Sequence, residues 1–265
     1  MAFMLSSTAV MANSSEGEMK SFRTAKKLLA EKVYHDHRLA FYSGCRFRKY
    51  QKRLMPVLSS CGYKIRKNET RAKRIEWEHV MPAWVFGHQL RCWQNGGREN
   101  CKDNDPQFRT MEGDMHNLVP AIGEINGDRS NFSFRMLEGE PRIYGENINM
   151  EVDFKGRDVE PPDEVWGDIA RTYFYMRDRY GLRLSSSQQK LMQSWNKLDP
   201  VDQWEIERNQ RIAKIQGNDN PYVSNYRTDI AVKNSSDSQA GELSPALLAL
   251  LAILYWVYRR FFSKN

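Results

Sequence analysis

Between residues 41 and 160 the chain shows no long run of helical periodicity, while both flanks do, and this contrast limits the fold more than any other feature. Towards the N-terminus, SFRTAKKLLAEKVYHDH predicts a helix opening at Ser21, with Phe22, Ala25, Leu28, Leu29 and Val33 at helical spacing. Towards the C-terminus, PPDEVWGDIARTYFYMRDRYG has prolines ahead of its first turn, acids at its start and Gly181 beyond its last aromatic residue. DPVDQWEIERNQRIAKIQG follows, with Asp199 as N-cap, Pro200 at the first helical position, Asp202 as capping-box partner and Gly217 as terminator. The middle, rich in Gly, Asn and charge, reads as short strands and loops with one short helix. The expected class is α+β, a single mixed domain over residues 21–222.

With 265 residues and 40% apolar content the chain can bury a substantial core. Its start, MAFMLSSTAVMANS, resembles the apolar part of an export signal without a preceding Lys or Arg, so residues 1–20 read as a leader. Beyond residue 222 the apolar pattern is lost and residues 223–244 read as a linker. The tail, 245–265, holds thirteen apolar or aromatic residues from Ala246 to Tyr258, followed at once by Arg259 and Arg260. A helix of that length rises about 20 Å, so it spans a hydrocarbon core of about 30 Å only if Pro245 and Phe261–Phe262 extend it. The expectation is a hydrophobic C-terminal helix, anchoring the chain through residues 245–262 or acting as a processed sorting tail, with the domain outside the cytoplasm.

A balance of 40 Lys+Arg against 33 Asp+Glu gives a net charge of +7, unevenly distributed. From Arg46 to Arg74 eleven basic residues face the single acid Glu69. Such a run is either a solvated face or a grip for a polyanion such as nucleic acid. Four cysteines, Cys45, Cys61, Cys92 and Cys101, contain no CxxC pair, which argues against a zinc knuckle. Two readings stay open: disulfides between near neighbours in an exported protein, Cys45 with Cys61 and Cys92 with Cys101, or four buried thiols in a cytosolic one.

Three stretches of the middle carry candidate chemistry: EWEHV (76–80), GGREN (96–100) and EGDMHNLVPAIGEINGDRSNF (112–132). As a strand, the first places Glu76 and Glu78 on one face and Trp77 and His79 on the other. At a strand end Glu78 and His79 still converge on one centre, a carboxylate for a hard cation beside an imidazole that titrates near neutrality. In the third stretch Pro120 is expected to start a short helix that places Glu124 and Asn126 near its end, Asn126 offering an amide oxygen. Arg98, in a flexible Gly-rich setting, could clamp a phosphate through two N–H groups. Each residue alone has an ordinary structural role open to it, and composition leaves a hydrolase and a plain nucleic-acid binder nearly level.

The ordered set CGY, RKNETRAKRIEWEHVMPAW, GGRENC and MEGDMHNLVPAIGEINGDRSNF, with FYSGC before it and NDNPY after it, resembles the bacterial endonuclease I family of ββα-metal (His-Me finger) nucleases. The resemblance runs from about residue 21 to 222. It implies a ββα-metal finger core surrounded by helices, and hydrolysis of DNA, with RNA as a second substrate, at little sequence preference, giving 5′-phosphate ends. It implies His79 as general base, Glu78 and Asn126 as ligands of a single Mg²⁺ for which Mn²⁺ or Ca²⁺ can substitute in binding, and Arg98 on the scissile phosphate. Glu76, Glu112, His116, Asn117 and Glu124 would support that site. A monomer in the periplasm or outside the cell is implied as well. Ser43 stands where many relatives have a cysteine, so one disulfide of the larger family set is absent. The competing class is a noncatalytic, membrane-tethered nucleic-acid binder, which has no need of Glu78, His79 and Asn126 together. A zinc hydrolase is disfavoured because no second histidine lies at ligand spacing from His79.

Overall fold

The computed structural model describes residues 21–226; the leader and the hydrophobic tail lie outside the described residues. Ser21 caps α1 (Phe22–Leu28) by accepting a hydrogen bond from the Thr24 amide, and the chain continues through a π-helical stretch, Leu29–Val33. A hairpin of β1 (Phe47–Tyr50) and β2 (Arg53–Pro56) follows, then α2 (Glu69–Ala72) and β3 (Ile75–His79). Four short helices come next: α3 (Ala83–Gly87), α4 (Arg91–Gln94), α5 (Gly97–Asn104) and α6 (Pro106–Gly113). The chain then forms β4 (Leu118–Ile122), α7 (Gly123–Arg129), and the short strands β5 (Ser133–Phe134), β6 (Glu151–Asp153) and β7 (Asp158–Glu160). It closes with α8 (Trp166–Tyr180), α9 (Ser186–Leu198), α10 (Gln203–Gln216) and α11 (Pro221–Ser224).

The expected α+β character is present, in three small sheets among many helices. β3 runs antiparallel to β4, with Ile75 opposite Ile122 and His79 opposite Leu118, and α7 begins at the next residue, so the three form a ββα unit. Elsewhere β7 pairs antiparallel with β6 and parallel with β5. The larger core joins β4 and the β5–β7 sheet to α8 and α9, where Trp166 and Trp195 stack at 5.3 Å. A smaller core joins Ala25 and Leu29 to Phe47, Leu118 and Ile212. Between α8 and α10, Arg171 donates from Nε to Glu205 at 2.9 Å, and both residues are buried. An unmatched charge there would be costly, so the pair fixes how these helices dock.

Three expectations about these elements need correction, and one helix was not expected. The middle holds six short helices rather than one, because helices of four to eight residues are too short to show a periodic apolar face. Pro120 starts no helix: it sits in β4 opposite Trp77, tolerated because a two-stranded sheet has only edges, while its carbonyl accepts from the Phe41 amide at 2.8 Å. α10 is capped by Asp202, which accepts from the Glu205 amide at 2.7 Å, whereas Asp199 accepts from the Gly167 amide at the start of α8. Preceding a proline, Asp199 is held extended and cannot begin the helix with Pro200. Helix α9 was not anticipated, its buried residues being only Met192 and Trp195.

Both near-neighbour disulfides are present, Cys45–Cys61 and Cys92–Cys101, and no described cysteine is free. Ser43 accepts from the Cys45 amide at 3.3 Å. The first residues of the expected linker belong to the domain, since Val223 and Ser224 lie in α11 and Tyr226 donates to the Asn196 carbonyl at 3.0 Å. Among the described residues no helix is long and apolar enough to cross a membrane.

Candidate active site

A cleft of about 760 Å³ opens along β3 between α1, α3 and α7, and Glu76, Glu78, His79, Arg98 and Asn126 all line it. The period-two alternation of β3 is realised: Glu76 and Glu78 turn towards α7, while Trp77 packs on Tyr34 and His79 on Phe22, with ring centroids 5.5 and 4.9 Å apart. The adjacent residues Glu78 and His79 meet at the cleft because β3 ends there.

His79 is buried, and its Nε2 lies 2.9 Å from the main-chain carbonyl of Glu112. A carbonyl only accepts, so Nε2 carries the proton and Nδ1 keeps its lone pair. Burial pulls the pKa of this imidazole down to about 4 against the pull of that carbonyl, and the charges of Arg98, Arg129 and Lys26 lower it further. At neutral pH His79 is therefore an uncharged base.

Glu78 is buried as well, and burial pushes its pKa up to about 7 although the guanidinium of Arg129, 3.3 Å from Oε1, opposes the rise. Tyr42 also approaches Oε1, at 3.4 Å, and among the described residues no side-chain donor reaches Oε2. Asn126 donates from Nδ2 to Glu76 Oε2 at 2.8 Å, which fixes the amide and leaves Oδ1 without a partner among the described residues. Glu76 is in turn held by Arg71 and Arg74. A carboxylate oxygen and a fixed amide oxygen on the cleft wall, neither met by a side-chain donor among the described residues, suit a hard cation that keeps most of its waters. No cluster of three His, Cys, Asp or Glu side chains among the described residues forms a fuller metal cage.

Arg98 is not in a flexible loop: it lies in the first turn of α5, and its Nε and one terminal nitrogen both donate to Glu112 Oε1, at 2.9 and 2.8 Å. Its side chain remains 42% exposed, so the guanidinium faces the cleft from a fixed mount. Glu112 thus touches both functional groups, the carboxylate holding Arg98 and the carbonyl holding His79. Only the carboxylate role could be suspected from the residue type. Arg129 and Tyr42, the buried partners of Glu78, were missed, and nothing in their local sequence marks them.

The remaining candidates lie outside the cleft. Glu124 accepts from Tyr63 and from the amides of Arg66, Lys67 and Asn68, anchoring the turn before α2. Its burial favours the neutral acid, but these donors hold its pKa below the usual range. His116 packs on Tyr175 and shares a hydrogen bond with the Asn218 carbonyl. Asn117 clamps Met81 through both its amide and its carbonyl, at 2.7 and 3.0 Å, fixing the chain just past His79.

A mixed α+β domain that sets a carboxylate, an amide oxygen and a neutral imidazole around a cation-rimmed cleft has the layout of a hydrolase acting on phosphate esters. The chain belongs to the endonuclease I family, whose family model, described as Endonuclease I, matches residues 15–227. An extracellular deoxyribonuclease of Aeromonas hydrophila is 54% identical over 206 residues, 77% of this chain and 88% of the relative. A periplasmic deoxyribonuclease of the same organism is 53% identical, covering 78% and 86% respectively. Endonuclease-1 of Buchnera aphidicola (subspecies Acyrthosiphon pisum, strain APS) is 51% identical over 74% of this chain and 78% of its own length.

Proposed function

We propose that this protein is a metal-dependent endonuclease that hydrolyses phosphodiester bonds of DNA with little sequence preference, leaving 5′-phosphate ends, in the periplasm or outside the cell. One observation carries the reading: the uncharged base His79, the oxygens of Glu78 and Asn126 and the mounted guanidinium of Arg98 line one cleft. The relatives' names, deoxyribonuclease and endonuclease, agree with it, as do their periplasmic and extracellular locations. Nothing in this set reads base edges, so recognition runs through the backbone and RNA is a second substrate.

Glu78 Oε2 and Asn126 Oδ1 would hold the ion, for which Mg²⁺ is the proposed occupant. When bound, such an ion supplies stabilisation of charge on the departing oxygen. His79 takes a proton from the attacking water at Nδ1 while Nε2–H stays on the Glu112 carbonyl. Arg98 meets the charge growing on the nonbridging oxygens. An approaching phosphate offsets the positive charges of Arg98 and Lys26 and draws the His79 pKa back towards working pH.

Incubation of the purified protein with plasmid and Mg²⁺ tests this. The wild type is expected to nick and linearise the plasmid, and EDTA to stop it. His79→Ala is expected to lose about 10²- to 10⁴-fold in rate while still binding the ion, and Glu78→Ala to lose ion binding itself. An intact plasmid with the wild type, or equal cutting by His79→Ala, overturns the proposal.

A further inference from the structure

The catalytic reading accounts for the charged lining of the cleft and leaves an indole at its rim unexplained. Trp84, in the first turn of α3, lines the same cleft as Glu78 and His79 and is 46% exposed. Single exposed apolar side chains are ordinary. This one differs in its support. The His88 ring lies 4.0 Å from it, tilted by 37°, and the Trp93 ring lies 5.3 Å from His88. Trp93 in turn presses on the backbone of Gly87, where a Cβ would meet its ring at 2.1 Å. A series of three rings, the last packed close against Gly87, thus braces an indole that is 46% exposed.

Its place along the cleft is equally specific. β3 leads from Glu76, which is gripped by Arg71 and Arg74, to His79, and the chain reaches Trp84 five residues later through Pro82. Along the chain His79 thus stands between Glu76 with its guanidinium partners and the indole, and all of them line one cleft. A nucleic-acid strand with a phosphate at His79 would lay its neighbouring nucleotides along that lining.

We propose that Trp84 is a stacking platform for a nucleobase flanking the bond to be cut, adding affinity wherever that base has left its stack, while an intact duplex is held through its backbone alone. The inference rests on the nuclease reading and adds a base contact to it. Stacking on an aromatic face tolerates any base, which is compatible with recognition that reads no base edges. In an intact duplex each base already stacks on its neighbours, so the platform favours binding only where a base has left the stack.

The test is the anisotropy of a labelled oligothymidylate strand, and of a strand of equal length made of abasic residues, titrated with protein in EDTA so that nothing is cut. The wild type is expected to bind the thymidylate strand more tightly than the abasic one. Trp84→Ala is expected to weaken thymidylate binding roughly ten-fold and to leave abasic binding unchanged, while Trp84→Phe restores most of the loss. Equal thymidylate affinity in Trp84→Ala and wild type, or a matching loss for the abasic strand, overturns the platform and leaves the nuclease reading standing. Failure of the wild type to bind either strand sinks that reading too.

Discussion

Glu76 lines the cleft, and its hydrogen bonds fix the Asn126 amide beside it. Burial favours its neutral acid, yet Arg71 and Arg74 outweigh burial and hold its pKa below the usual range. It therefore stays anionic, and an anion at Oε2 accepts only from the NH₂ end of Asn126. Glu76→Gln removes that constraint, so the Asn126 amide is free to turn its oxygen away from the cleft. The expected result is a loss of about 10- to 100-fold in Mn²⁺ affinity by titration calorimetry, with the melting temperature little changed. His116 makes a separate residue-scale statement. Burial pulls its pKa down to about 4, although Asp114 opposes the shift, and an unfolded histidine titrates near 6.5. Between these values the unfolded chain binds the extra proton, so the contribution is present above pH 6.5 and is lost as pH falls towards 4, by about 3 kcal/mol in the limit. Asp168, whose pKa is raised by burial, works in the opposite sense. Urea unfolding at pH 7 and pH 5 should thus show a smaller difference in His116→Gln than in the wild type.

At the scale of elements, the disulfide Cys92–Cys101 ties α4 to α5, three residues beyond Arg98. Replacing both cysteines by serine is expected to cost about 2.5 kcal/mol on the loop-closure argument, measured by urea unfolding, and to reduce turnover more than substrate affinity. Elements were legible in the sequence where chemistry was local. Ser21, Gly181 and Gly217 mark the ends of α1, α8 and α10 through cap geometry that depends on a few neighbours. Asp105 and Pro106 gave the same signal for α6 and went unread. The alternation of β3, and so the facing of Glu76, Glu78 and His79, was also legible. The long-range partners were not: Arg129 meets Glu78 from 51 residues away, and the Glu112 carbonyl meets His79 from 33. A main-chain acceptor has no residue type to betray it.

At the scale of the described domain, positive charge lines the cleft and continues beside it. Arg23, Lys26 and Lys27 of α1 and Lys49, Lys52 and Arg53 of the β1–β2 hairpin line one groove, which shares Lys26, Arg74 and Trp77 with the candidate cleft. Of the eleven basic residues from Arg46 to Arg74, five line this groove: Lys49, Lys52, Arg53, Lys73 and Arg74. Lys49→Ala/Lys52→Ala/Arg53→Ala is expected to flatten the dependence of log affinity on log salt by up to about 2.7 for duplex DNA, with turnover at saturating substrate retained. Anisotropy titrations at several salt concentrations measure that slope. The Cys92–Cys101 bridge has a larger consequence under the proposed function. A chain still in a reducing compartment possesses His79 and Glu78 but lacks the covalent tie beside the helix that mounts Arg98. The cell's own genome lies in that compartment, so on this reading the bridge would brace the Arg98 mount only once the chain has left it.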